Sequence, residues 1–492
     1  MKDYPSLEEV ALLLLVAFLA MVVQGYHPGV EDAEIYVPGI KKLLNPALYP
    51  QNSAFFESHA HMTLFPNLIA GSIRLSHIPF DWALVLWQYF AIFLLLLGCW
   101  HVGRLTFRTP RARWGGVALV TALLTIPVAG TALYIMDEYL NTRSLSTPAA
   151  LFIVINMVER KFARAALWTL ATALIHPLMV VFGFCYCALF FWFDRKGAIE
   201  KLRNGRVAVA ATLLLPFGLF PPATDTYRRI LQGRPYFFVL RWEWYEWLGI
   251  FAPLALLWWV RSIARKQQLP VLEKMSTSLV LFGLAFFAAA LVITIPARLT
   301  NLVELQPMRA LHLIYLLFFI FAGGLLAEYV LKNHVWRWAL LFVPLCTGMW
   351  YAQRQLFPNT PHLEWPGVNP RNDWVSAFLW IRYNTPLNAY FALDPDHMAL
   401  SGEDQHGFRV IAERSRLADN VKDSGVATMF PQLVNTWLDQ TQALRGWNNL
   451  QYPDFLKLKK TYGVNWVVVR TSGVQGLTCP YQNRNLSVCR LD

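Results

Sequence analysis

A chain of 492 residues that is 56% hydrophobic and only 15% charged, with 20 Trp and 33 Phe, is too apolar for a soluble protein of its size. Its net charge of +12 does not point to nucleic acid, because the basic residues lie in short loops between apolar runs, where they act as topology signals and headgroup contacts. Glycine-rich phosphate loops, zinc-type cysteine spacings and low-complexity tracts are missing, so those chemistries are set aside.

The first apolar run, Ala11–Val23, follows KDYPSLEE without a small-x-small cleavage site and reads as a retained signal-anchor. It is short against the roughly 20 residues a bilayer needs, so it should extend into its flanks. Directly behind it comes GYHPGVEDAEIYVPGIKKLLNPALYP, with His27, Glu31, Asp32 and Glu34 within eight residues. A helix starting near Pro28 would put His27, Glu31 and Glu34 on one face and turn Asp32 towards Tyr36. Two readings stay open. In one, the acids answer a helix dipole and remain solvated. In the other, a carboxylate beside lipid serves as a general base, or His27, Glu31 and Glu34 hold a divalent metal.

Met62–Ile78 carries Arg74 and His77 and reads as an interfacial helix, not a span. Spans are expected near Trp82–Leu105, Trp114–Gly130, Pro148–Met157, Ala165–His176, Leu178–Phe193, Val207–Phe220, Leu248–Val260, Leu279–Ile295, Ala310–Leu331 and Trp336–Tyr351. Pro148–Met157 and Ala165–His176 are too short to cross straight and read as a broken pair meeting around Ile175-His176-Pro177. With about 11 spans and the N-terminus inside, the inner loops hold most of the bases, from Arg104 and Arg108 through Arg160, Arg195, Lys201, Arg261 and Lys266 to Lys332 and Arg337. An odd number of spans puts the C-terminal tail outside.

That tail changes character. DWVSAFLWIRYNTP predicts a helix stopped by a proline turn; AYFALDP and FRVIAER predict buried strands; DFLKLKKTYGVNWVVVRT predicts helix, glycine stop and strand; NLSVCRL predicts a last edge strand. The fold class expected is therefore mainly α: a polytopic membrane helix bundle over residues 1–353, N-in and C-out, with an extracytoplasmic α/β domain over 354–492. Of the six cysteines, Cys99, Cys185, Cys187 and Cys346 lie in apolar runs, while Cys479 and Cys489 lie ten residues apart in the tail. The latter two are either free thiols or a disulfide across a terminal hairpin, and an oxidising outer compartment favours the disulfide.

The outer side collects the unusual chemistry: the acidic loop with His59 and His61 behind it, ALYIMDEYLNTRSLS with Asp137, Glu138 and Arg143, His176-Pro177, and Arg298 and Arg309 in PARLTNLVELQPMRALHLIY. Singly, each has a bland explanation, as a solvated pair, a histidine bonding a freed carbonyl, or a snorkelling arginine. Together they suit a single chemistry, in which arginines hold a lipid phosphate while a carboxylate deprotonates an acceptor.

EDAEIYVPGIKKLLNPALYP, LQPMRALHLIY, WIRYNTPLNAYFALDP and YGVNWVVVR, in this architecture, resemble the GT-C superfamily of polytopic membrane glycosyltransferases, in particular its bacterial members. The resemblance spans nearly the whole chain as architecture and rests on short motifs. It implies transfer of a sugar from a polyprenyl phosphate to an unknown acceptor outside the bacterial inner membrane, with Glu31 or Asp32, followed by Glu34, as catalytic acids. It implies Asp137, Glu138, Arg143, His176, Arg298 and Arg309 as substrate-binding residues, and no nucleic acid partner. The first loop runs Glu-Asp where the family commonly has Asp-Glu, which leaves open which acid is the base. Two rival classes remain: a lipid or solute transporter, against which stand the absence of an internal repeat and the few ionisable residues within spans, and a non-catalytic scaffold of the same architecture.

Overall fold

The computed structural model describes residues 4–194, 224–368, 372–471 and 473–491, without the side chains of 193, 194, 297 and 298. The span expected near Val207–Phe220 lies outside the described residues. The protein is mainly helical and resolves into two compact units.

The first unit holds residues 1–24, 89–137 and 143–349. Five described helices are long and apolar enough to cross a membrane: Leu7–Gln24, Phe80–Thr106, Trp244–Lys266, Pro270–Thr294 and the run Leu299–Leu331. Three shorter apolar helices, Thr142–Val158, Phe162–Ile175 and Pro177–Asp194, accompany them. The last two break at His176, where the sequence places the interruption. The Leu7–Gln24 helix extends the first apolar run into its flanks, as its length demands.

Trp336–Tyr351 lies in the helix Val335–Leu356, which is not among the five, and the Trp114–Gly130 span is not built as such. Helix Pro110–Ala122 stops well short of Gly130 and is followed by a two-stranded hairpin, β1 (Pro127–Val128) with β2 (Leu133–Tyr134). The buried amide of Gln24 explains the stop: it donates to the carbonyls of Thr121 and Ala122 at 2.9 and 3.0 Å, and its oxygen accepts from the Thr125 hydroxyl at 2.6 Å. Carbonyls left over at the helix end are thus satisfied by a side chain, and the chain is free to turn. Pro110–Ala122 also lies directly against Ala310–Leu325, because glycines meet there: a β-carbon on Gly115 would collide with the backbone oxygen of Gly323. Small residues permit this close backbone approach where lipid offers no hydrophobic driving force.

The second unit gathers residues 25–88, 138–142 and 350–492. The acidic loop and the Phe65–Ser76 helix are grouped with the tail in this unit. The centre is a mixed five-stranded sheet in the order β4-β3-β5-β7-β6, with β3 at Tyr390–Leu393, β4 at Ser415–Arg416, β5 at Trp466–Arg470, β6 at Thr478–Gln482 and β7 at Leu486–Arg490. β3 runs parallel to β4 and β5; β7 runs antiparallel to β5 and β6.

The first four residues of WVVVR are apolar because β5 is covered on both sides there. Trp466 and Val468 pack with Phe378, Phe391 and Phe408 on one face, while Val467 and Val469 pack with Trp447, Phe455 and Leu458 on the other. The expected helices form at Asp373–Asn384, capped by the Asn372 side chain on Val375 N–H at 3.1 Å, and at Tyr452–Tyr462, ended at Gly463.

Two local expectations are corrected. FRVIAER forms a helical turn, Phe408–Ala412, and only its neighbour Ser415–Arg416 is a strand; a short apolar run carries no period that separates strand from helix. NLSVCRL is interior, with β6 outside it as the edge. Cys479 and Cys489 form a disulfide between these two strands. The helix expected to be interfacial, Phe65–Ser76, buries Phe65, Pro66, Ile69 and Ala70 within this unit and exposes Leu68 and Leu75.

Candidate functional site

Gly25–Asp32 does not form a helix. It is strapped to the tail by backbone bonds: Tyr26 N–H to His362 O (3.0 Å), Glu364 N–H to Tyr26 O (2.9 Å), Gly407 N–H to Gly29 O (2.8 Å) and Glu31 N–H to Gln405 O (3.3 Å). Glu31 takes a positive φ of 53°, a strained conformation for a non-glycine residue, and the helix begins only at Ala33 with Asp32 as its N-cap residue. The face shared by His27, Glu31 and Glu34 on a helix starting at Pro28 therefore does not exist. The physical reason is competition: the tail offers this stretch backbone partners, and a short isolated turn of helix is weak.

The acids go to different places. Glu31 and Asp32 stay partly exposed, with side chains 34% and 28% accessible. Both grip Lys422: its ammonium lies 3.0 Å from Asp32 Oδ1 and contacts Glu31 Oε2. Burial alone would lower the Lys422 pKa, but Asp32 and Glu31 outweigh it and hold the ammonium above its ordinary value. Asp32 also acts electrostatically on His59, whose ring meets Tyr36 edge-on at 6.0 Å.

Glu34 is fully buried. Its carboxylate accepts from the N–H groups of Arg409 and Val410 at 3.0 and 3.1 Å, at the start of the Phe408–Ala412 turn. Gly407 makes room, since a β-carbon there would strike the carboxylate. Arg409 faces Glu34 at 3.5 Å and binds Asp423 through both terminal nitrogens, at 2.9 and 2.7 Å. Burial raises the Glu34 pKa to about 7, with Arg409 and Arg416 offsetting part of the penalty. Both carboxylate oxygens of Glu34 are thus taken up by the backbone of the tail.

His27 turns a third way. Its Nδ1 lies 2.6 Å from Glu364 Oε1, its ring stacks on Phe357 at 3.9 Å, and His406 Nε2 reaches the same carboxylate at 3.2 Å. Burial pushes Glu364 up, but His406 and His27 more than reverse this and bring it to about 2. His27, Glu31 and Glu34 thus have three separate partners. Among the described residues no group of three His, Cys, Asp or Glu side chains is arranged to hold a metal ion. The expected metal trio does not fit, and no step is built on one.

In the first unit, Asp137 and Arg143 form a buried ion pair at 3.0 Å. Arg309 and His312 line a small cavity with Thr147, Met179 and Phe182, and His312 Nε2 lies 3.0 Å from Ile135 O. The charges of Arg309 and Arg143 act on His176. Arg143 and Arg309 are thus both within electrostatic reach of His176, and Asp137 is held on Arg143. Glu138 belongs to the second unit, where its carbonyl accepts from His27 N–H at 3.0 Å. The side chain of Arg298 lies outside the described residues.

Reading the sequence misses Lys422, Glu364, His406, Arg409 and Asp423. Lys422, Glu364 and Arg409 meet the acidic loop across more than three hundred residues of chain, and no local signal marks any of the five.

No known family model matches the chain, and no curated protein matches it. Among solved structures, the chain is similar to the archaeal oligosaccharyltransferase AglB from Archaeoglobus fulgidus, determined in complex with an inhibitory peptide and a dolichol-phosphate. The match covers 94% of this chain and 69% of that one, at 11% identity and a TM-score of 0.40.

Proposed function

We propose that the protein is a membrane glycosyltransferase that moves a sugar from a polyprenyl-phosphate donor to an acceptor outside the bacterial inner membrane. The observation that carries this reading is the Glu31–Asp32 pair. It follows the first membrane-length helix directly in the chain, is partly open to solvent, and is oriented by the half-buried Lys422. One carboxylate takes the proton of the attacking acceptor hydroxyl as the oxygen bonds to the anomeric carbon. The phosphate leaves from the opposite face, so the configuration inverts. Lys422 is a positioning residue that holds the pair in place. Asp137, Arg143, His176, Arg298 and Arg309 are proposed to bind the lipid-linked donor, with an arginine neutralising the leaving phosphate. Glu138 is proposed to support the acidic loop through its backbone.

The test is reconstitution in proteoliposomes with a panel of polyprenyl-phosphate sugars and an envelope lipid extract as acceptor, reading release of polyprenyl phosphate. Asp32→Asn or Glu31→Gln should lower the rate by about 100-fold or more, the ordinary range for a lost general base. Full activity in both variants overturns the assignment.

A second reading has an observation of its own. Lys422 engages both carboxylates, so the trio also serves as a clamp between loop and tail, as a non-catalytic scaffold requires. Activity on no donor, with the variants altering only stability, favours the scaffold.

A further inference from the structure

The parallel part of the sheet in the second unit creates a place that the proposed transfer reaction does not use. Leaving β3, the chain goes to β4 on one side; leaving β4, it goes to β5 on the other. Such a reversal opens a crevice beyond the carboxyl ends of the strands, where open α/β sheets hold their ligands. A cleft of about 560 Å³ lies there, within the roughly 300–1,000 Å³ of small-molecule sites.

Its lining mixes polar groups with the apolar Leu400, Leu444 and Trp447. Asp394 and Asp396 follow β3 directly, Asn420 follows β4, and the opposite wall is the segment Thr441–Asn449 at the end of the Val434–Ala443 helix. The near wall is preset: Asp394 accepts from Asp396 N–H at 2.9 Å, and Asn420 Nδ2 donates to Asp396 Oδ1 at 2.9 Å. The far wall is not. The side chains of Gln442, Arg445, Asn448 and Asn449 line the cleft, and none of them bonds another described protein group. Buried Trp447 and Leu444 hold this segment in the core, so its polar tips are presented from a fixed base.

The chemistry narrows the ligand. Two carboxylates against one guanidinium disfavour an anion. Amides, carboxylates and a guanidinium around one cleft supply several donors and acceptors at fixed directions, which is what adjacent hydroxyl groups require. From this arrangement we infer that the cleft binds a neutral, polyhydroxylated ligand, a short saccharide. The cleft stands apart from the transfer reaction, because it shares no residue with Glu31, Asp32 or Lys422.

The test uses the full chain in nanodiscs and neutral tri- and tetrasaccharides of hexoses and N-acetylhexosamines, with binding followed by saturation-transfer NMR and titration calorimetry. At least one should bind, and Arg445→Ala with Asn448→Ala, exposed positions whose loss leaves the fold intact, should weaken it at least about ten-fold. Asp32→Asn should leave that binding unchanged while removing transfer, so the two proposals fail separately. Absence of any binder in the set, binding unaltered in the double variant, or binding only of phosphate-bearing sugars overturns the inference.

Discussion

Glu34 and Arg409 lie 375 residues apart in the chain and 3.0 Å apart in the fold, carboxylate to backbone amide. With Asp423 on the far side of the guanidinium, they form a buried ionic relay between the acidic loop and the tail. Arg409 keeps Asp423 when Glu34 is removed, but the buried amides of Arg409 and Val410 lose their acceptor, a loss of about 1–3 kcal/mol. Glu34→Ala should therefore lower the thermal midpoint sharply without touching the exposed acids.

The same carboxyl sets a pH dependence. Its folded pKa is raised from 4.5 to about 7, so its contribution to stability is fully present below the unfolded value and fades as pH climbs to the folded one. Thermal unfolding between about pH 4.5 and 7 should show stability falling with pH. Glu34→Gln, which keeps an acceptor oxygen but cannot titrate, should flatten that slope.

Glu364 and His406 act in the opposite sense. Glu364 is depressed to about 2, so its contribution is present above the unfolded carboxylate value and lost as pH falls towards 2. His406 is raised, because Glu364 outweighs burial, so its contribution is present below the unfolded imidazole value and lost as pH rises through the folded one. The pair is strongest in the window between. Glu364→Gln should cost more stability at about pH 5.5 than at about pH 8, measured by thermal denaturation at both.

Removing the Lys422 ammonium leaves two adjacent carboxylates without their cation, and the proton affinity of the pair rises. Under the proposed mechanism, Lys422→Met should reduce transfer and move the acid limb of the pH–rate profile to higher pH. Lys422→Arg should restore much of the profile. A lower rate with an unmoved profile would mean that the lysine serves the fold alone.

Where the two glycine-bearing helices touch, Gly323→Ala has no space, since its β-carbon would meet the backbone of Gly115. Forcing the helices apart should cost about 1–3 kcal/mol, seen as a lower midpoint and as earlier cleavage in limited proteolysis. Gly348→Ala, where a β-carbon meets open space, is the control.

For the Cys479–Cys489 bridge, closure of a short loop stabilises the tail by about 2–4 kcal/mol. Cys489 is fully buried and Cys479 exposed. Cys489→Ser should consequently be the worse of the two single variants, because it also buries a hydroxyl. Thiol labelling with and without reductant checks the bridge itself.

Much was legible from local pattern. Long apolar runs marked the membrane-length helices, the Ile175–Pro177 break was signalled by its proline, and WVVVR announced a strand. Each of these depends on residues within one or two turns of each other. The Trp114–Gly130 run failed because Gln24, far away in sequence, takes the carbonyls that would have continued the helix. FRVIAER failed because Glu34 caps its amides as a helical turn.

By itself, then, the sequence determined a membrane-embedded helical protein with an α/β tail, since composition and period decide which segments leave water and in what backbone form. It also determined that acids gather behind the first span. The tertiary structure alone decided what those acids do. Glu31 and Asp32 share Lys422 at the surface, Glu34 is buried against Arg409, and Glu364 takes His27 away from both. Carboxylates adjacent in a chain are chemically alike until burial and charged partners, brought from hundreds of residues away, separate their proton affinities.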